Sequence, residues 1–448
     1  MNKKPNENRS INVYIPDFDI VVLGATGLTG KLVVEHLLGI DKLLKNSLGE
    51  RRWAIAGRDN ERLTEVLRKL DVENVEIIIA DTNDKHSLER LAKRTRVLLN
   101  LAGPYTRSAE EVISACISSG TSYADLSGEL PLLRRVIDRF DEPARLAGVQ
   151  IVQMAGWEAF PADLTTMLAC HRAAIDRGEN DQLGQDGSGA AGAIESVVVT
   201  VNFKKLPKGG VPFNQSVSAG TLASIVEMLK DPNTSVIGKS YGLLPKNSNK
   251  YSLPDKLRLG ANIHNGRVLE PMVPVAFLNP PIIHRTAAIL ANEQGEVYQP
   301  ANYKEGVDIG SSGGLSGYQR YLKAMTQDIL QRTMIMIINL PFPVRHWLSK
   351  SIEKRLPKAG TGPSDHYLRD WDWTVKASAT NKNGKTAEAT LTGDGHPGYT
   401  ATAAIIVEVG LSMSMVNART ERSGCITPAL AMGIQAAEKL QMPSLKMK

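Results

Sequence analysis

The chain has 448 residues, 42% hydrophobic and 22% charged, an ordinary globular composition with length enough for two or three domains, which excludes disorder as the default state. Lys and Arg outnumber Asp and Glu by 53 to 47, a formal net charge of +6. Spread over this length, that excess does not mark a nucleic-acid binder, which gathers its charge into one patch. Cys116, Cys170 and Cys425 are odd in number and have neither CxxC nor metal-ligand spacing, so a reducing, cytoplasmic setting without a disulfide framework is expected.

Residues 1–17 open with the polar run MNKKPNENRS and carry no apolar signal-peptide core, so secretion is not expected. Residues 18–165 then alternate two kinds of segment. FDIVVLGA from residue 18, WAIAG at 53–57, VEIIIAD at 75–81, VLLNLAG at 97–103, SYADLSG at 122–128 and VQIVQMAG at 149–156 are apolar runs of strand length. Near-continuous apolarity is what parallel strands covered on both faces show. Between them, Val33 and Leu37, and Val34 and Leu38, pair at i,i+4. DNERLTEVLRKL at 59–70 and DKHSLERLAKR at 84–94 open on Asp and end in basic residues, as capping and the helix dipole favour. The pattern predicts an α/β fold, a Rossmann doubly wound parallel sheet joined to a second α+β domain.

Gly24, Gly27 and Gly30 separate the first strand from the first helix. Gly24 ends the strand, Gly27 lets backbone approach a ligand, and Gly30 lets the helix pack on the sheet, while the helix N-terminus offers N–H groups to a pyrophosphate. In this context the spacing predicts dinucleotide binding by Gly24, Ala25, Thr26, Gly27, Leu28, Thr29 and Gly30; the alternative is simply a tight turn. The second strand runs into Arg58, which suits the 2′-phosphate of NADP, where NAD sites carry an acid for the ribose. Asp59 reads as the cap of the next helix, so NADP is expected over NAD. Asp81 is placed for the adenine amino group or for a cap.

NLAGPYTRS, 100–108, follows the fourth strand and by topology passes beside the nicotinamide, with Asn100, Gly103 and Pro104 as cofactor neighbours. Tyr105 is the candidate catalytic donor to a developing oxyanion; packing against the cofactor without donating is the alternative. The Tyr-x-x-x-Lys acid of short-chain dehydrogenases is missing at Tyr123; Trp157-Glu158-Ala159-Phe160-Pro161-Ala162-Asp163, after the sixth strand, is the other candidate for the site mouth, with Asp163 read first as the cap of DLTTMLACHRA. Eight histidines show no metal-ligand spacing, so no metal site is expected.

Residues 166–395 predict an α+β substrate or cover domain. Residues 176–193 read as a Gly-rich loop. IESVVVTVNFKK sets Val197, Val199, Val201 and Phe203 on one face of a strand in an antiparallel sheet. SAGTLASIVEMLKDP at 218–232 reads as a helix stopped by proline, and 271–290 as two extended segments. MIMIINLPFPV at 334–344 is too short to cross a bilayer. Together with the basic WLSKSIEKRLPK it reads either as a core helix followed by a wet one or, over 334–358, as a peripheral contact with a membrane or lipid-droplet surface. NKNG at 381–384 predicts a hairpin. Residues 396–448 carry apolar helices around 399–415 and 428–440 that pack back on the nucleotide domain.

The blocks FDIVVLGATGLTG, WAIAGRDNERL, NLAGPYTRSAEEVISACISSGTSYADLSGE and GWEAFPADL, in that order, resemble the saccharopine dehydrogenase-like oxidoreductases, specifically the branch of trans-acting enoyl reductases. The likeness continues through GTGPSDHYLRDWDWTV, GDGHPGYTATA and CITPALAMG. It implies NADP as cofactor and hydride transfer to an α,β-unsaturated acyl or polyketide intermediate, held on the carrier protein of a separate synthase. A saccharopine-type C–N or imine reductase, or a non-catalytic NADP-binding scaffold at lipid surfaces, stays open beside it. In one place the chain departs from the family, which usually has Gly-Phe-Asp-Ser where Gly156-Trp157-Glu158-Ala159 stands here.

Overall fold

The computed structural model describes residues 16–44, 52–174, 193–208, 211–212, 219–245, 260–272, 276–294, 302–356, 362–415 and 422–448. The polar start through residue 15 and the Gly-rich run at 176–192 lie outside the described residues. In chain order the first part is β1 (Phe18–Leu23), α1 (Leu28–Leu44), β2 (Trp53–Gly57), α2 (Asn60–Lys69), β3 (Glu76–Ile79), α3 (Lys85–Lys93), β4 (Thr95–Asn100), a 3-10 turn (Tyr105–Arg107), α4 (Ala109–Ser119), β5 (Ser122–Asp125), α5 (Leu130–Leu146) and β6 (Gln150–Val152). There follow α6 (Phe160–Ala174), β7 (Ile194–Lys205), α7 (Ala219–Lys230), β8 (Asn262–His264), β9 (Arg267–Glu270), α8 (Asn279–Gln294), β10 (Asn302–Ser311), α9 (Gly314–Ile338), α10 (Phe342–Glu353) and α11 (Asp365–Arg369). The chain ends with β11 (Asp372–Asn381), β12 (Thr386–Asp394), α12 (Thr402–Ser414), β13 (Gly424–Ile426), α13 (Pro428–Met432), α14 (Ile434–Glu438), β14 (Gln441–Met442) and β15 (Leu445–Met447).

The first sheet runs β13-β6-β5-β4-β1-β2-β3 and is parallel throughout. Its continuous apolarity has a direct cause in β1, whose successive side chains feed opposite faces. Ile20 and Val22 join Val33, Val34 and Leu37 of α1, Leu63 and Leu67 of α2 and Ile405 and Ile406 of α12. Val21 and Leu23 join Leu88 of α3, Val112 of α4 and Leu133 of α5. Helix α12 comes from the far end of the chain and is buried along nearly its whole length. It approaches so closely that a Cβ on Gly410 would lie 2.9 Å from a methyl of Leu99. β13 extends the expected six strands to seven, with Gly424 opposite Gln150 and Cys425 opposite Ile151.

The second sheet is ordered β14-β15-β12-β11-β7-β10-β9-β8. The hairpin at 381–384 joins β11 to β12 as expected. The antiparallel reading of β7 needs correction, since it pairs antiparallel with β11 but parallel with β10. Residues 271–290 are corrected too. They contain the start of α8, because Pro280 and Pro281 sit in its first turn, where the helix needs no backbone donors. The expected helix at 428–440 is two short ones broken at Gly433, whose φ is +75°. Helix α6 packs on β7, β11 and β12 and also meets α8 and α13, and the only side chains it leaves less than fully buried are those of His171 and Arg172.

Because α12 is part of the core beneath β1 and β4, Ile406→Ala should lower the unfolding free energy by about 2–5 kcal/mol. Urea titration followed by tryptophan fluorescence measures the loss.

Candidate active site

The three glycines of the first turn do different work. Gly24 has φ +89°, and a Cβ there would sit 2.8 Å from the Ala102 nitrogen, so it lets the end of β1 pass against the loop after β4. A Cβ on Gly30 would lie 2.4 Å from the Gly24 carbonyl, which is contact between helix and strand. Gly27 alone opens outward, its nearest neighbour at 3.4 Å being the Gly24 carbonyl. Lys31 N–H bonds to the Gly27 carbonyl at 3.0 Å, so the amides of Leu28, Thr29 and Gly30 are the first-turn donors that have no intrahelical acceptor. No acidic side chain occupies that turn. Ala25 is buried beneath it, and Thr26 lies half-buried on its rim. The residues fit a dinucleotide pyrophosphate.

At the end of β2, Arg58 is exposed, and among the described residues no hydrogen bond or ion pair holds it. Asp59 is committed as the N-cap of α2, accepting from Arg62 N–H at 3.1 Å. Asp81 accepts from the Asn83 backbone at 2.9 Å and from its side chain at 3.1 Å, a turn role; Asp84 is the cap of α3.

Beyond β4 and β5 lies a buried polar chain. Asn100 donates to the Tyr123 hydroxyl at 3.0 Å and accepts from Ala102 N–H at 3.0 Å. Asn100 thus shapes the loop rather than reaching outward. Tyr123 donates to Asp125 at 2.8 Å, Ser127 donates to Asp125 through backbone and hydroxyl, and Gln153 donates to Ser127. Burial pushes the Asp125 carboxyl up to about 6 against these stabilising bonds.

The mouth loop continues through Gly103, joined by a cis peptide to Pro104, into Tyr105. A second carboxyl, Glu129, holds it. Glu129 accepts from Tyr105 N–H at 3.3 Å, from Thr106 N–H at 2.8 Å and from the Thr106 hydroxyl, and its other bond is to Ser224 of α7 at 2.7 Å. Arg107 donates to Glu227 of α7 at 2.6 Å, and Lys230 bridges to Glu353 of α10 at 2.8 Å. The loop of the nucleotide half is thereby tied to helices of the other half. The Tyr105 ring is buried, which together with Asp125, Glu129 and Glu158 nearby pushes its phenol well above the usual range, while a bond from the Leu126 backbone opposes this.

After β6 the chain turns at Gly156, and the Glu158 carboxyl folds back over that glycine, within 2.5 Å of where a Cβ would be. Desolvation, with Asp125 adding to it, pushes Glu158 up to about 7. Trp157 beside it packs on Phe203 at 6.0 Å and on Trp373 at 5.7 Å, and Phe203 meets Trp371 at 5.7 Å. An aromatic wall thus connects the turn after β6 to the second sheet. Asp163 does not cap its helix. It lies inside α6, fully buried, accepting from Thr286 at 2.5 Å and from Ala429 N–H at 3.2 Å, so it ties α6 to α8 and α13.

The structure gathers Tyr105, Asp125, Glu129 and Glu158; the sequence offered Tyr105 as the donor and the stretch from Trp157 to Asp163 as the other mouth candidate, and missed Asp125 and Glu129. The available signal was an acid ending a buried strand, SYAD, which is costly unless it is partnered or used. Among the described residues no cluster of His, Cys, Asp and Glu could hold a metal ion.

Residues 20–152 match the family model described as the saccharopine dehydrogenase NADP binding domain. A Mycobacterium tuberculosis protein that bears the name trans-acting enoyl reductase provisionally is 28% identical over 455 residues, 95% of each chain. The trans-acting enoyl reductase of Mycobacterium bovis is 29% identical over 436 residues, 93% of this chain and 94% of the relative. Among solved structures, apo saccharopine dehydrogenase (L-Glu forming) of Saccharomyces cerevisiae aligns over 96% of this chain and 99% of its own at TM-score 0.47 and 14% identity.

Two glycine substitutions should separate binding from folding. Gly27→Ala should weaken NADPH by about tenfold or more, ~1.4 kcal/mol, with little change in melting temperature. Gly30→Ala should lower the melting temperature itself, since its Cβ meets backbone. Fluorescence titration and thermal melts read the two effects, and Arg58→Ala should cost NADPH but not NADH affinity.

Proposed function

We propose that this chain is an NADP-binding oxidoreductase of the saccharopine dehydrogenase family and, within it, a trans-acting enoyl reductase, with an α,β-unsaturated acyl or polyketide thioester on a separate synthase as substrate. The proposal takes residues 18–165 as the nucleotide domain and 166–395 as its cover. The observation that carries it is the Glu158 carboxyl, raised to about 7 and placed with Tyr105 and Asp125 at the strand ends. The names of similar mycobacterial chains agree.

NADPH would be held by the turn from Gly24 to Gly30, by Arg58 at its 2′-phosphate and by the loop of Asn100, Gly103 and Pro104, and would supply the hydride for the new C–H bond at the β-carbon. As that bond forms, the alkene electron pair moves toward the thioester and leaves an enolate on the substrate. Tyr105 donates to the enolate oxygen, with Leu126 bonding to the phenol from behind. Glu158, protonated near neutral pH, transfers its proton to the α-carbon and regains one from solvent. Trp157, Phe203 and Trp371 give the acyl chain an apolar wall.

A saccharopine-type imine reduction needs free arginines for substrate carboxylates. In the mouth loop Arg107 is engaged by Glu227, which favours the acyl reading. Peripheral lipid contact through 334–358 accompanies that reading, supported by exposed Phe342, Val344 and Trp347 on α10. No helix among the described residues is long and apolar enough to cross a membrane. Vesicle flotation of Trp347→Ser tests the contact, and unchanged partitioning removes it.

The sign of the pH dependence follows from Glu158. The acid is present below about pH 7 and is lost above it, so kcat for an enoyl thioester should be level at acidic pH and fall about tenfold per unit well above 7. Glu158→Gln should reduce kcat by about 100-fold and abolish that alkaline fall. Tyr105→Phe should cost about 100-fold in kcat with NADPH affinity intact. Steady-state NADPH oxidation across pH reads all three, and a wild-type profile flat through pH 9 would remove Glu158 from the role.

A further inference from the structure

At the edge of the aromatic wall stands a polar side chain that the reaction above does not use. It is His396, in the stretch GDGHPGYTATA between β12 and α12. The His396 N–H donates to the Leu368 carbonyl at 2.8 Å, and Gly395 N–H to that of Trp371 at 3.2 Å. The Trp371 indole donates to the Tyr367 carbonyl at 2.7 Å. One short segment, 367–371, therefore fixes both the backbone of His396 and the indole that its imidazole packs against, with ring centroids 4.7 Å apart. Tyr399 is a second ring neighbour at 4.9 Å.

From there the wall leads to the proposed acid. Trp371 meets Phe203 at 5.7 Å, and Phe203 stacks on Trp157 at 6.0 Å, the residue before Glu158. A shorter link runs beside it. Trp157 N–H donates to the Thr402 hydroxyl at 3.0 Å, which in turn donates to the Pro397 carbonyl at 2.8 Å. The turn that carries His396 and the turn that carries Glu158 are joined by these two bonds.

The imidazole is neutral and its tautomer is set. Burial pushes it down to about 4, and Nδ1 accepts from Gly398 N–H at 3.0 Å, which leaves the proton on Nε2. His396 is only 6% exposed, yet Nε2 has no hydrogen-bond partner among the described residues and is not sealed from solvent. A donor held so firmly and left unpaired is ready for a ligand, because a bond made there replaces little hydration. Being uncharged, it suits the oxygen of a hydroxyl, ketone or amide. A phosphate is held instead where guanidinium, ammonium or helix-terminal amides gather, as at the turn from Gly24 to Gly30.

We propose that His396 is a substrate-recognition residue, its Nε2–H donating to an uncharged oxygen of the acyl thioester that lies along the aromatic wall. The assignment rests on the acyl-thioester reading above. It gives an otherwise apolar wall one polar contact, so that among chains of equal length the protein prefers the one that brings an oxygen to this point. Two parts of such a substrate carry one, the acyl chain and the amide-bearing thiol arm.

Calorimetric titration of the full chain saturated with NADPH tests this, using saturated thioesters that it cannot reduce. The pantetheine thioester of an unsubstituted chain has the oxygen on its arm, the ethyl thioester of a hydroxylated chain has it on the acyl part, and the ethyl thioester of the unsubstituted chain has neither. The wild type should bind one of the first two about tenfold tighter than the third, and which one identifies the source of the oxygen. His396→Asn reaches only as far as Nδ1 and still accepts from Gly398 N–H, so it should keep the melting temperature and lose the tenfold. His396→Gln places an amide N–H where Nε2 stands and should retain it. A histidine that only held the turn would give the opposite order. That opposite order overturns the proposal, as do equal affinities of the three proteins for the favoured thioester, or a wild type that binds the three thioesters equally or not at all. Reduction of an enoyl thioester by the same wild-type protein reads the reductase assignment separately, so the two can fail apart.

Discussion

The Glu129 carboxyl is the interaction on which the mouth of the molecule depends. It is fully buried and collects two backbone amides and a hydroxyl from the loop at 105–106, together with the hydroxyl of Ser224 from the other half. A buried carboxyl without partners costs several kcal/mol, so these four donors and the acid hold one another in place. The geometry of Tyr105 follows, because its own backbone amide is part of the clamp. So does the seating of α7 over the strand ends, reinforced by Arg107 on Glu227. The loop proposed to pass beside the nicotinamide is thus shaped by a residue some twenty positions further along the chain.

A second constraint comes from the end of the chain. β13 completes the first sheet and α12 seals one of its faces, so a parallel sheet begun at residue 18 is finished at residue 426. Helix α6 and Asp163 join the halves from inside, through Thr286 and Ala429. Long-range pairings of this kind make the nucleotide fold depend on the whole chain being present. They also hold Trp157 against Phe203 and Trp373, which sets the apolar wall beside the acid.

Much of the nucleotide half was legible in the sequence because its signals are local: three glycines in a strand-turn-helix context, Asp59 and Asp84 as caps, and apolar runs of strand length. The hairpin at 381–384 was legible for the same reason. β13 was not, since three residues, Gly-Cys-Ile, carry no period and become a strand only when β6 is there to pair with. Pro280 and Pro281 mislead because proline breaks a helix interior but suits a first turn. Asp163 reads as a cap from its neighbours in sequence, while its partners lie more than a hundred residues away. Glu158 lay in a stretch the sequence offered as a second candidate for the mouth and departed there from the family pattern, but the burial beside Asp125 that raises its carboxyl exists only after folding.

The account centres on hydride reaching the β-carbon of a conjugated thioester. The direct measurement supplies NADPH deuterated at C4, each face in turn, with a panel of enoyl thioesters, ketones and imines, and locates the deuterium by mass spectrometry. Deuterium on the β-carbon of a saturated thioester, from one face only, is the predicted result. Deuterium on a carbonyl or imine carbon, with the enoyl thioesters returned unchanged, would contradict it.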